Sequence, residues 1–198
     1  HILRGTPEIG RELLDLLLQS DDENQKLIGA FHLFREAFYD LDLGKRADAL
    51  LSIDDAHRKL AADAAANHFP YAEYRSRAEV QLGGFFDDPV KEIRAEAASC
   101  FRNLKAGDLD LCRPLLRRFI QSKAFVEENF SFFFFLKEAC DQTFEEVVFA
   151  SERLIKLIED DVRRADSSLD LHYLDDLIRR EYAAVADRPD LRRRLLDV

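Results

Sequence analysis

The chain has 198 residues, 47% hydrophobic and 34% charged, with 29 Lys and Arg against 39 Asp and Glu and a net charge of −10. That length is enough to bury a real core, and seven Gly with five Pro are too few for a loop-rich β-sandwich or a disordered tail. The acidic balance disfavours nucleic acid as a partner, because phosphate contacts need clustered Lys and Arg.

Helix signals recur along the chain. Thr6 ahead of Pro7 and Glu8 is a capping residue before a proline at the first helical position, and Ile9, Leu13, Leu14, Leu17 and Leu18 share one face. Asp22 with Gln25 predicts a capping box that opens a helix to about Tyr39. Shorter helices are expected over 45–53, 71–82 and 111–121, and others start from Asp54-Asp55 and Asp87-Asp88. Thr143 with Glu146 repeats the capping-box pattern ahead of Val147, Val148, Leu154, Leu157 and Ile158, in a helix reaching 164. Further helices are expected over 169–186 and from Asp190 onward. No segment alternates with period two, so the fold class is all-α.

The segment 54–65 aligns with 87–98 at an offset of 33 residues without a gap. The same interval upstream reaches Asp21-Asp22, Leu27, Gly29 and Phe31. Downstream it reaches Ser122, one residue late, then Val126 and Phe130. Ala62, Ala64, Ala65, Ala95, Ala97 and Ala98 let neighbouring helices approach closely, while Leu60 and Ile93 supply bulk between layers. Each unit thus reads as a hairpin of a leading and a trailing helix, and hairpins must stack to bury a continuous core.

Asp87-Asp88-Pro89-Val90-Lys91-Glu92-Ile93-Arg94-Ala95-Glu96-Ala97-Ala98 resembles the second helix of a HEAT repeat. The resemblance is carried by residues 54–104 and extends over 8–141, with 142–198 as a cap or the start of a following module. It implies a right-handed α-solenoid of stacked antiparallel hairpins, an ARM-type superhelix, in one domain over 1–198. It also implies an inter-repeat ladder from Asp88 and Arg94; the equivalent pairs, Asp55 with Ala61 and Asp22 with Ile28, lack the arginine. HEAT-like arrays mostly serve as binding scaffolds. The expected function is therefore a non-enzymatic protein–protein interaction module, whose partner is another protein or another domain of the same polypeptide. The resemblance places the trailing helices on the concave wall, with His57, Arg58, Lys91 and Glu92 as contact residues.

Motifs for chemistry are missing. The acid pairs sit at predicted helix starts, where capping and the helix dipole explain them. Glu159-Asp160-Asp161 is followed by Arg163 and Arg164 and reads as a solvated, salt-linked face. No two of His1, His32, His57, His68 and His172 are four residues apart, so no helix carries a two-histidine metal face. Gly44-Lys45-Arg46 lacks the rest of a P-loop, and Gly83-Gly84 matches a helix C-terminus. Cys100, Cys112 and Cys140 lack C-x-x-C spacing, which suggests buried thiols in a reducing, cytoplasmic setting. No catalytic residue, cofactor or metal is expected. No membrane association is expected either, since the apolar run over 132–136 is far too short to span a bilayer.

Two features stand above this background. Phe132, Phe133, Phe134 and Phe135 are consecutive, and at about 100° per residue they cover nearly the whole circumference of a helix. They mark either a helix buried on every side or an aromatic docking surface. Arg113, Arg117 and Arg118 recur at helical spacing, and Arg192, Arg193 and Arg194 lie near the end. These arginines form a solvated face or a patch for an acidic partner. The absence of Met and a last helix without a stop signal read as a piece of a longer protein. That motivates a second expectation, a sensor or regulatory arm of a multidomain enzyme such as a bacterial NTPase. A HEAT-like nucleic-acid-processing enzyme ranks last, because the chain is acidic and has no Trp.

Overall fold

Among the described residues, 7–139, 143–159 and 171–196, the computed structural model has twelve α-helices, two short 3-10 turns and no strand. The helices are α1 (Pro7–Leu18), α2 (Glu23–Glu36), α3 (Leu41–Leu50), α4 (Asp55–His68), α5 (Arg75–Phe85), α6 (Lys91–Ala98), α7 (Leu109–Gln121), α8 (Lys123–Glu127), α9 (Phe130–Ala139), α10 (Phe144–Glu159), α11 (Leu171–Ala184) and α12 (Pro189–Leu196). The all-α expectation holds. No helix among the described residues is long and apolar enough to cross a membrane. The chain divides into two compact units, His1–Leu82 and Gly83–Val198.

In the first unit aspartates set the helix starts. Asp22, Asp40 and Asp54 have extended backbones, and their carboxylates accept the N–H groups of Asn24, of Asp42 and Leu43, and of His57. Each thereby satisfies donors that the helix itself leaves unpaired. Asp40 starts α3 four residues ahead of the expected position. Gln25 does not close a capping box: it accepts the Ser20 hydroxyl at 2.8 Å, and Ser20 Oγ accepts the Asp22 N–H at 3.1 Å.

Helix α2 packs on α1, α3 and α4. A Cβ on Gly29 would lie 3.0 Å from Leu17 Cβ and 3.1 Å from the Leu18 backbone nitrogen, so glycine sets how closely α1 and α2 approach. Against α4 the contact is alanine-rich: Ala30, Ala61, Ala62, Ala64, Ala65 and Ala66 are all buried. Arg77 of α5 donates to the Ala37 carbonyl at 3.0 Å and the Gly44 carbonyl at 3.2 Å, and reaches Asp48 Oδ1 at 3.2 Å. One guanidinium thus joins the end of α2 to α3.

Large rings fill the second unit instead. Phe119 meets Phe86, Phe101, Phe125 and Phe132 with ring centroids 4.6–5.7 Å apart, mostly edge to face. Offset and edge-on geometries suit the aromatic quadrupole. The segment from Ser122 through Phe130, aligned with the repeat in sequence, is not one helix: α8 ends at Glu127, Glu128 leaves helical geometry at ψ 40°, and α9 begins at Phe130. Asp87, read as a cap for the helix following it, serves α8, accepting the Lys123 N–H at 2.9 Å. Asp88 accepts the Val90 N–H at 2.9 Å and α6 starts at Lys91. Gly83 and Gly84 lie inside the last turn of α5, not beyond it.

Tertiary partners also replace the second capping box. Thr143 donates to Glu181 at 2.5 Å, and Arg180 reaches Thr143, Glu181 and the Leu136 carbonyl. Glu146 pairs with Arg113. These bonds link α9, α10, α11 and α7. Residues 160–164 of the acidic and basic run, and Cys140, lie outside the described residues.

Ala97 and Ala98 of α6 are 0% and 2% exposed. Ala97→Leu is expected to overpack this site and destabilise the unit by about 1–3 kcal/mol. Chemical denaturation checks this; an unchanged midpoint and slope would show that the site has room.

Candidate functional site

The first unit carries a cavity of about 350 Å³ lined by Arg35, Tyr39, Asn67, His68, Tyr71, Glu73 and Tyr74. Local sequence builds it. Both α2 and α4 end three residues before a tyrosine, at Glu36 before Tyr39 and at His68 before Tyr71, so the turn after each of these helices carries an aromatic. Tyr39 and Tyr71 are 44% and 57% exposed, unusual for large rings that could have been buried. Tyr74 stands between them, with centroids 4.8 Å from Tyr39 and 6.5 Å from Tyr71 at interplanar angles of 72° and 64°. Steep angles between neighbouring rings give the cavity walls.

His68 forms the floor and is buried. Its Nδ1 lies 2.7 Å from the Ala64 carbonyl, so that nitrogen carries the proton, and Nε2 accepts from the Tyr39 hydroxyl at 3.3 Å. Phe38 stacks on the imidazole at 4.4 Å. Burial pushes the His68 pKa below the ordinary value, outweighing the Ala64 carbonyl, which favours the charged form. A smaller cavity of about 150 Å³ adjoins it, lined by Phe31, His32, Arg35, Glu36, Tyr39 and His68. His32 is likewise held below its ordinary pKa, chiefly by burial.

A depressed histidine pKa means that the folded state favours the neutral ring. Its stabilising contribution is fully present above the unfolded value near 6.5 and is lost as pH falls through the lower folded value. Asp40 and Asp54 are also held low, first by the backbone N–H groups of Leu43 and His57, but they act only near and below pH 4. Unfolding free energy is therefore expected to fall between pH 8 and pH 5, and to fall less in His68→Gln. Denaturant titrations at both pH values check this, and equal slopes in the two proteins would remove His68 as a source.

The other residues singled out in the sequence are dispersed. His57 is buried in the first turn of α4, its ring 2.8 Å from Asp54, while half-buried Arg58 pairs with Asp55 at 2.7 Å. Lys91 and Glu92 are exposed on α6. Arg94 is buried; it bonds the Asp88 and Pro89 carbonyls and forms a two-pronged pair with Glu127. Phe132, Phe133 and Phe135 are buried, whereas Phe134 is 47% exposed and stacks with Phe130 at 6.4 Å. From the two arginine clusters, Arg113 pairs with Asp110 and Glu146, and Arg194 with Glu145 at 2.9 and 3.0 Å. Among the described residues no group of three or more His, Cys, Asp or Glu is placed to hold a metal. Cys100 and Cys112 are buried free thiols, and burial pushes Cys100 well above the ordinary thiol range.

Sequence reasoning did not find the tyrosine cavity. The available signal was that three of the five tyrosines fall at 39, 71 and 74, just after two repeat-related helices. No family model, no curated protein and no solved structure matches this chain.

Proposed function

We propose that the chain is a non-enzymatic protein–protein interaction module whose units are built from HEAT-like helical hairpins. One observation carries this reading. Helices α1, α3, α5 and α7 begin at Pro7, Leu41, Arg75 and Leu109, 34 residues apart each time, and α10 follows after 35. Polar contacts keep nearly the same offset: Arg77 to the Gly44 carbonyl, Arg94 to Glu127 and Arg113 to Glu146 each span 33 residues. Equivalent positions on stacked hairpins produce such an offset, because each repeat touches mainly its neighbours. Within the units, α2 packs on α4, α6 on α8, α7 on α10 and α9 on α11.

Such arrays bind through side chains left exposed on a rigid frame. Lys91, Glu92 and Phe134 are candidates on the helices, with half-buried Arg58 beside them, and the tyrosine cavity is a concave candidate. The partner is a protein or another domain of the same polypeptide. To test this, proteins retained by the immobilised chain are purified and titrated against it, with Lys91→Glu and Phe134→Ser as surface variants. At least one is expected to bind saturably and to lose about tenfold in affinity on one of these changes. Failure of every candidate to bind saturably would overturn the reading.

A further inference from the structure

We propose that the tyrosine cavity of the first unit receives the cationic side chain of an arginine or lysine in a basic segment of a partner protein. The proposal rests on the interaction-module reading and names the partner chemistry of one site within it. Three tyrosine rings at steep mutual angles wall the cavity, and aromatic rings attract a cation placed over their faces. A volume of about 350 Å³ is at the small end for ligand pockets. That suits one or two side chains.

Charge selects the occupant. Glu73 lines the cavity and Glu36 its smaller neighbour, and among the described residues neither forms an ion pair. Nearby cations are already committed. Arg75 donates to the Phe69 and Pro70 carbonyls, and Arg77 to the end of α2 and to α3. Arg35 is the one cation lining either cavity, and its guanidinium lies 5.2 Å from the Phe31 ring centroid. His68 adds no charge while its Nδ1–H is held by the Ala64 carbonyl and its Nε2 accepts from Tyr39. Two carboxylates against one guanidinium, in a chain of net charge −10, draw a basic segment in from a distance.

The experiment titrates the full chain with the fluorescently labelled peptides Gly-Arg-Gly-Arg-Gly and Gly-Glu-Gly-Glu-Gly, and with tetramethylammonium, following tyrosine ring NMR shifts. The arginine peptide is expected to bind saturably and to shift Tyr39, Tyr71 and Tyr74. Tyr71→Ala and Glu73→Gln should each weaken it by about two- to fivefold, and Arg35→Gln should strengthen it by a similar factor. All three residues are half-exposed or exposed, so their loss leaves the core intact. Preference for the glutamate peptide, weakened by Arg35→Gln, would overturn the proposal, as would binding indifferent to all three variants. Saturable binding of tetramethylammonium with none of the arginine peptide would also overturn it, pointing to a free small cation. Peptide binding without any retained protein fails the module reading alone. Retained proteins with no peptide binding fail the cavity alone.

Discussion

Replacing Phe132 by alanine is expected to destabilise the second unit by about 3–5 kcal/mol, the range for emptying a fully buried aromatic site. Phe132 is 0% exposed and its ring lies 5.4–5.7 Å from those of Phe101, Phe119, Phe125 and Phe133. Neighbouring rings cannot fold into the vacated volume without breaking their own edge-to-face contacts. Phe134, two positions on, provides the internal control. Half exposed and stacked on the likewise exposed Phe130, its change to serine should cost less than about 1 kcal/mol. Denaturant unfolding of both variants decides whether the Phe run is divided between core and surface. Equal losses would mean that α9 is buried all round.

The second large effect is expected at Arg94. Its side chain is 9% exposed, and its guanidinium satisfies two backbone carbonyls as well as both Glu127 oxygens. Arg94→Met removes the donors that those acceptors share. The cost is expected to be about 2–4 kcal/mol, discounted from a fully buried pair because Glu127 is 26% exposed. Changing Glu127→Leu in the same chain should restore part of that loss, because the double variant no longer keeps a carboxylate whose Arg94 guanidinium is gone. A double-mutant cycle by chemical denaturation measures the coupling. Additive losses would show that Arg94 acts through the Asp88 and Pro89 carbonyls alone.

How much of this was legible beforehand depended on the range of the interaction. Helix type rests on spacing within a dozen residues, so α1, α2, α4 and α7 were foreseen to within a few positions. The misreadings share one cause. Thr143 and Glu146 have capping-box spacing, but Glu181 and Arg113 offered them charged or buried partners, and those bonds won. Asp87 looked like a cap for its own helix, yet its carboxylate faces Lys123, 36 residues away. The break at Glu128 leaves no glycine or proline to announce it. The tyrosine cavity was missed because Tyr39 and Tyr71 lie outside the helical periodicity, in turns where aromatic residues carry no local signal.

By itself the sequence determined that the chain is helical, because helix propensity, capping and amphipathic periodicity are local, and it carried a 33-residue offset between the segments 54–65 and 87–98. Tertiary structure decided which side chains remain available. It buried three of four consecutive phenylalanines and paired Arg113 and Arg194, from the two arginine clusters, within the chain. It also set three tyrosines around a neutral histidine at the surface. Those choices depend on which helix faces meet, and a burial pattern summed over several helices cannot be read from the period of any one of them.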